Sequence, residues 1–374
     1  MPRIPASDAE AIALARQVAE RCASSPKPVS SRSRSPARMA GPSSVRSLGE
    51  AFTELTAGDA SVGQIPQNHY FFVNVLAHAG TEEQRAFFYR EVIAGRHFGN
   101  ALSERGTRTA REFAIGFERH PDGGRVLNGT KFYATGSLFA HWIPVYADDE
   151  EGRTHAAWVP ADHPGVRVED DWNGMGQRTT GSGTVRFDQV RVPAEHIVPV
   201  YSVFEKDEVF GAFGQYLHAA IDTGIAVGAL REGKRLIHSL ARPRLEASVE
   251  RAADEGAVID GFGELALRVR SARALLREAG DALDAARAEL TEQSAAEASA
   301  AVAAARAQSD AVALAVSSGI FELIGTRAAD RDLNLHRHWR NARTHTLHDP
   351  RRLKLRHLGD WELNDTPPPR NGLV

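Results

Sequence analysis

The chain has a single cysteine, Cys22, in 374 residues. This excludes an intrachain disulfide framework and a cysteine-built metal cluster, and it fits a reducing, cytoplasmic compartment. Neither sign of charge is in excess: Lys+Arg 45 against Asp+Glu 48 leaves a formal net charge of -3. No global field draws the chain to nucleic acid or to an anionic membrane, and a small molecule is the expected partner. No run approaches the roughly 20 apolar residues needed to cross a bilayer. The first residues carry Asp8, Glu10 and Arg16 without the continuous apolar stretch of a secretory signal. Familiar motifs are missing too. There is no Walker A or His-Glu-x-x-His pattern, Ser182 lies in Gly-Ser-Gly rather than a nucleophile elbow, and Gly174-Met175-Gly176 lacks the third glycine of a dinucleotide fingerprint. That glycine pair reads as a loop between strands.

What is present is a globular composition, 42% hydrophobic and 25% charged, in a length that permits two or three structural units. Ala6 to Cys22 has helical spacing, whereas Ser24 to Ser47 is crowded with Ser, Arg and Pro and reads as irregular. Order is expected to resume at Leu48, with helices over Phe71–Ala79 and Glu82–Ala94, the latter started by Thr81. From Phe98 to about Pro199 the period becomes two. Pro121-Asp122-Gly123-Gly124 and Asn128-Gly129 are turn signals between short alternating runs, which predicts a small antiparallel barrel or sandwich. Long helical patterns return over about 206–240, 258–291 and 293–325, and the alanines of the third permit close helix packing. The predicted class is α+β, mainly α: an N-terminal helical domain (1–95, irregular at 24–47), a middle antiparallel β-barrel (96–205) and a C-terminal helical bundle (206–374).

Leu335 to Pro350 concentrates four histidines, three arginines and a tryptophan directly after an alanine-rich helix. His345 and His348 share a face if this segment is helical, and Pro350 should close it. Their spacing also suits a two-histidine metal site, but no carboxylate pattern completes one, so acid–base or hydrogen-bonding work is preferred. Three further segments bear polar groups: Gln64 to Tyr70, where His69 is either a satisfied core histidine or a functional one; Gly99 to Gly106, which either approaches a planar ring or makes a tight turn; and Lys131 to Ser137, where Thr135 and Ser137 can point the same way from one strand.

Taken together, Val62–His69, Phe98–Glu104, Asn128–Ser137, Asp171–Arg178 and Arg337–Pro350 resemble the acyl-CoA dehydrogenase superfamily. Within it they resemble the flavin-dependent monooxygenases of dibenzothiophene oxidation and sulfur acquisition. The likeness runs over about residues 48 to 360, and Ser24–Ser47 departs from it. It implies a two-component monooxygenase in which a separate reductase supplies reduced flavin, FMN or alternatively FAD. The flavin reacts with O2 through a C4a-hydroperoxide and oxygenates a small organosulfur or amine substrate. By this resemblance His69, His348 and His345 are catalytic. Asn100, Ser103, Thr135, Ser137, Arg340 and Arg343 bind the cofactor, and Phe72 and Trp172 wall the substrate. No metal site is implied, and the assembly is a homotetramer. An acyl-CoA dehydrogenase is the alternative, although Thr344–His348 holds no glutamate where many dehydrogenases keep their base. An inactive, flavin-free scaffold is the second alternative.

Overall fold

The computed structural model describes residues 44–106 and 113–371. The helix expected over Ala6–Cys22 and most of the Ser/Arg/Pro-rich segment lie outside them. Helix α1 (Val45–Gly58) begins a little before the expected Leu48, because the Ser44 side chain accepts from the Ser47 amide and caps it. The Asp284 carboxylate also accepts from the Val45 and Arg46 amides, which satisfies two more open donors at this helix start. Helix α2 (Ala60–Ala79) starts at Ala60, capped by Asp59, rather than near Phe71. The reason is that its first half buries Gln64, Gln67 and Asn68, which hides the apolar stripe that marks a helix. Pro66 sits inside it. Helix α3 (Glu82–Ile93) opens on a Thr81/Gln84 capping box.

Seven strands follow: β1 (Gly116–Arg119), β2 (Arg125–Lys131), β3 (Trp142–Asp148), β4 (Thr154–Pro160), β5 (Val166–Glu169), β6 (Thr184–Val192) and β7 (Ile197–Val198). They form two antiparallel sheets, ordered β1-β2-β6-β5 and β3-β4-β7, and not the closed barrel expected from the sequence. One edge of β3 is taken by the preceding loop, through parallel bridges Phe98 to Trp142 and Ala101 to Val145. Leu127, Val185 and Phe187 from one sheet pack with Ile143, Val145 and Val159 from the other. The Asn128-Gly129 pair is a bulge within β2 rather than a turn: register shifts between Leu127 and Gly129, and Gly129 has φ +149°.

The long helices are α4 (Phe210–Ser239), α5 (Gly256–Ala288) and α6 (Glu292–Ile324), followed by α7 (Arg337–His345) and α8 (Arg351–Asn364). Helix α1 joins their core: Val45 and Phe52 pack with Tyr216 and Leu217 of α4, Leu276 and Leu283 of α5, and Ala298 and Val302 of α6. Helix α6 is long and apolar enough to span a bilayer, yet it buries Arg306 and Asp310 with its alanines in this bundle. Such burial requires paired partners, and the partner of Arg306 leads to the site.

Candidate functional site

Between the sheets and α2 a polar loop system is locked by one serine. Ser137 Oγ accepts from the Asn100 amide at 2.9 Å and donates to the Asn100 carbonyl at 2.8 Å. Position 99 has to be glycine, since a Cβ there would lie 2.5 Å from Ser137 Oγ. Thr135 and Ser137 do not share a strand, as the sequence had led us to expect. Gly136 at φ +79° turns the chain into a short 3₁₀ segment, Ser137–Phe139, so the two side chains part company. Thr135 Oγ1 pairs with Ser182 Oγ at 2.7 Å, and Ser182 with Thr180 Oγ1 at 2.6 Å. Asn100 Nδ2 donates to the Tyr133 carbonyl, while Asn100 Oδ1 is buried without a partner among the described residues. The Ser103 carbonyl accepts from the Phe132 amide at 2.8 Å, so this residue contributes backbone to the same loop pair.

Helix α2 presents Asn68 and His69 to these loops. Asn68 Nδ2 donates to the Thr135 carbonyl. His69 Nδ1 accepts from the Phe98 amide at 3.0 Å, so the neutral ring keeps its proton on Nε2. That Nε2 is buried and unpartnered among the described residues. Burial, reinforced by neighbouring His97, pushes the His69 pKa down to about 3. The ring is therefore a neutral hydrogen-bond donor at physiological pH.

Gln64, on the same helix, reaches a cluster of three imidazoles, His218 of α4, His345 at the end of α7 and His348 just beyond it, with ring centroids 5.0 to 5.1 Å apart. His348 Nδ1 donates to the His345 carbonyl at 2.8 Å. Its Nε2 lies 3.1 Å from Gln64 Nε2 and accepts from that amide when the ring is neutral. His345 is fully buried; its Nδ1 lies 2.6 Å from Asp222 Oδ1 and its Nε2 3.0 Å from His218 Nδ1. Burial lowers the pKa of all three rings, against a backbone hydrogen bond that favours charge on His348. Asp222 is also ion-paired with buried Arg306. Burial nevertheless lifts the Asp222 carboxyl to about 6, with Arg306 opposing the rise.

The rest of the histidine-rich segment faces elsewhere. His338 and Arg337 pair with Glu232. His336 and Trp339 line a cavity of about 240 Å³ with Ser317, Ser318 and Phe321. Arg340 Nη1 donates to the Met175 carbonyl at 3.0 Å, and Asn341 Oδ1 accepts from the Gln177 amide at 2.7 Å, so α7 is tied to the β5–β6 loop. Arg343 Nε and Thr344 Oγ1 are buried without partners among the described residues. Trp172 donates to the Gln177 carbonyl and meets Tyr133 edge-on. Phe72 is fully buried with its ring against Tyr146 and Trp158, placing it in the core behind α2.

Residues 100–190 match the acyl-CoA dehydrogenase middle domain, and residues 216–350 match the acyl-CoA dehydrogenase C-terminal domain. Dibenzothiophene monooxygenase of Rhodococcus erythropolis is 31% identical over 340 residues, 84% of this chain and 79% of that protein. The chain belongs to the acyl-CoA dehydrogenase superfamily, in its dibenzothiophene monooxygenase branch. A second relative in this branch, the probable FMNH2-dependent monooxygenase SfnC of Pseudomonas putida, is 30% identical over 84% of the chain and 80% of its own length. The dibenzothiophene monooxygenase TdsC of Paenibacillus sp. A11-2, solved with FMN and indole, superposes with a TM-score of 0.88 at 28% identity, covering 98% of this chain and all of TdsC. The superfamily fold accounts for the two-sheet middle unit and the helical bundle together.

Of the residues the sequence points to, His69, Asn100, Thr135 and Ser137 lie around the loops beside α2, and His345 and His348 form a second group that reaches α2 through Gln64. Gln64 and Asn68 stood out only as part of a polar segment and Ser182 only as no nucleophile elbow, while His218 and Asp222 went unnoticed. A signal for the last two existed: His218 and Asp222 lie four apart, on one face of the mostly apolar stretch Phe210–Leu230.

Proposed function

We propose that this chain is the oxygenase of a two-component flavin-dependent monooxygenase that takes reduced FMN from a separate reductase and oxygenates sulfur in a small organosulfur compound. The observation that carries the reading is His348: an imidazole held by Gln64 and the His345 carbonyl faces α2. The adjoining carboxylates Asp222 and Asp349 are each engaged by a cation, Arg306 and Lys354. A dehydrogenase needs a free carboxylate base, whereas oxygen chemistry needs neutral proton donors and a dry pocket.

The residues present fit a flavin. Gln64 Oε1, His69 Nε2 and Asn100 Oδ1 are buried polar atoms without protein partners among the described residues, the kind of set that the donors and acceptors of an isoalloxazine edge complete. Asn100, with Ser103, Thr135 and Ser137 shaping its loops, would hold the ring, and Arg343 with Thr344 would meet the phosphate. Arg340 is used in holding α7 to the β5–β6 loop. When bound, reduced FMN supplies the electrons that activate O2, so that one oxygen atom goes to the substrate and the other leaves as water. The chain's part is to donate a hydrogen bond from the neutral His69 Nε2–H, to hold His348 through Gln64 and the His345 carbonyl where it can pass a proton, and to exclude water with Trp172 and Tyr133. A homotetrameric assembly and a cytoplasmic location belong to the same reading.

The test mixes the protein with a flavin reductase, NADH, FMN, labelled O2 and dibenzothiophene. Labelled sulfoxide is the expected product, with His348→Ala forming about 10²-fold less and releasing hydrogen peroxide instead. Copurified oxidised flavin that an acyl-CoA bleaches without a reductase, with no sulfoxide formed, would overturn the reading.

A further inference from the structure

His218 has no place in the chemistry described so far, yet it is hydrogen-bonded into the centre of the histidine cluster. Tautomers along its chain follow from the partners. The ionised Asp222 carboxylate accepts from His345 Nδ1, which leaves His345 Nε2 as a lone pair. His218 Nδ1 must then donate to that lone pair at 3.0 Å, which leaves His218 Nε2 as the open, proton-accepting end. His218 is partly accessible, whereas His345 and Asp222 are fully buried.

We propose that Asp222, His345 and His218 form a buried proton store beside His348, loaded at His218 Nε2. Its role in oxygenation rests on the monooxygenase reading above. Loading is balanced as follows. One proton binds His218 Nε2, the His218 Nδ1 proton moves to His345 Nε2, and the His345 Nδ1 proton moves to Asp222 Oδ1. Both imidazoles end neutral with their tautomers reversed, and the carboxylate ends as the neutral acid. Discharge runs the same shifts backwards and delivers one proton next to His348.

The surroundings favour this arrangement over a stored imidazolium. From α6 Arg306 faces the cluster, and from α8 Lys354; both cations disfavour a charged ring at His218. Asp349, ion-paired with Lys354, lies beside His348. Asp310 of α6 and Arg343 of α7 act on Asp222 with opposite signs. Loading in this way places no charge on a ring that faces these cations; it neutralises Asp222 instead and weakens its ion pair with Arg306. The elevated pKa of Asp222, about 6, makes that acid accessible near physiological pH.

The decisive measurement is nitrogen-15 NMR of histidine-labelled wild-type protein, with peaks assigned by His218→Gln. As pH falls through about 6, His218 and His345 should both change from the Nδ1–H to the Nε2–H form without an imidazolium signal. Asp222→Asn should remove that pH dependence. Imidazolium formation at either ring, or tautomers that stay fixed while the wild-type carboxyl protonates, overturns the store, and both are read on the wild type even if Asp222→Asn folds poorly. In turnover, His218→Gln should lower coupling of O2 use to sulfoxide about tenfold at unchanged FMN affinity, less than the 10²–10⁴ of a direct acid–base group. Absence of wild-type oxygenation together with intact tautomer switching would instead sink the monooxygenase reading and leave the store standing.

Discussion

Gln64 Nε2 lies 3.1 Å from His348 Nε2, a contact that joins helix α2 to the corner between α7 and α8 across 284 residues of sequence. Gln64 is only 2% exposed, and its other terminal atom, Oε1, has no partner among the described residues. The amide can thus donate to a neutral His348, or turn over and accept from a protonated one.

Replacing this amide by a carboxylate removes the choice. In Gln64→Glu the negative charge should raise the His348 pKa by roughly one to three pH units. The limb of the kcat/KM profile that reports His348 should move to higher pH by that amount. An unmoved profile in a protein that still folds would disconnect Gln64 from the proton on His348.

Ser137 satisfies both backbone groups of Asn100, so Ser137→Ala leaves an amide and a carbonyl unpaired in a buried loop. A loss of about 1–3 kcal/mol in urea unfolding is expected, with weaker FMN binding than wild type. Gly99→Ala, which forces a methyl against the same hydroxyl, should act in the same direction.

His69 makes stability depend on pH with a definite sign. Its folded pKa is about 3 against an ordinary value of 6.5, so the unfolded chain binds a proton that the folded one refuses. The stabilisation it contributes is complete above pH 6.5 and is lost as pH falls toward 3. His69→Asn retains an acceptor for the Phe98 amide but cannot titrate, and its denaturation midpoint should fall less steeply than wild type over this window.

Lys131 and Glu104 are joined at 2.7 Å beneath the loop that holds Asn100 and Ser103, with the lysine side chain fully buried. Burial pulls the Lys131 pKa down to about 8, against the pull of Glu104. Lys131→Met should cost about 3–5 kcal/mol, because it strands the Glu104 carboxylate. Adding Glu104→Gln should restore much of that loss, as a double-mutant cycle in urea would show.

The long elements were legible because their signals are local. The helices expected over 206–240, 258–291 and 293–325 occur as Phe210–Ser239, Gly256–Ala288 and Glu292–Ile324. His345 and His348 were visible through their three-residue spacing. His218 offered only its four-residue spacing from Asp222, and its meaning depends on a ring 127 residues away. Asn128-Gly129 misled for a related reason: the residues that favour a turn also favour a bulge, and only pairing with β6 decides between them. Sheet closure likewise depends on edge pairing, here the capture of β3 by the Phe98–Ala101 loop.

Pro66 separates Gln64 from Asn68 and His69 along α2. It has no amide proton to return to the Val62 carbonyl, so the rod lacks one rung between the turn that grips the α7–α8 corner and the turn that grips the β-sheet loops. A missing rung makes the helix easier to bend there, so a shift at the Gln64 turn need not be carried in full to Asn68 and His69.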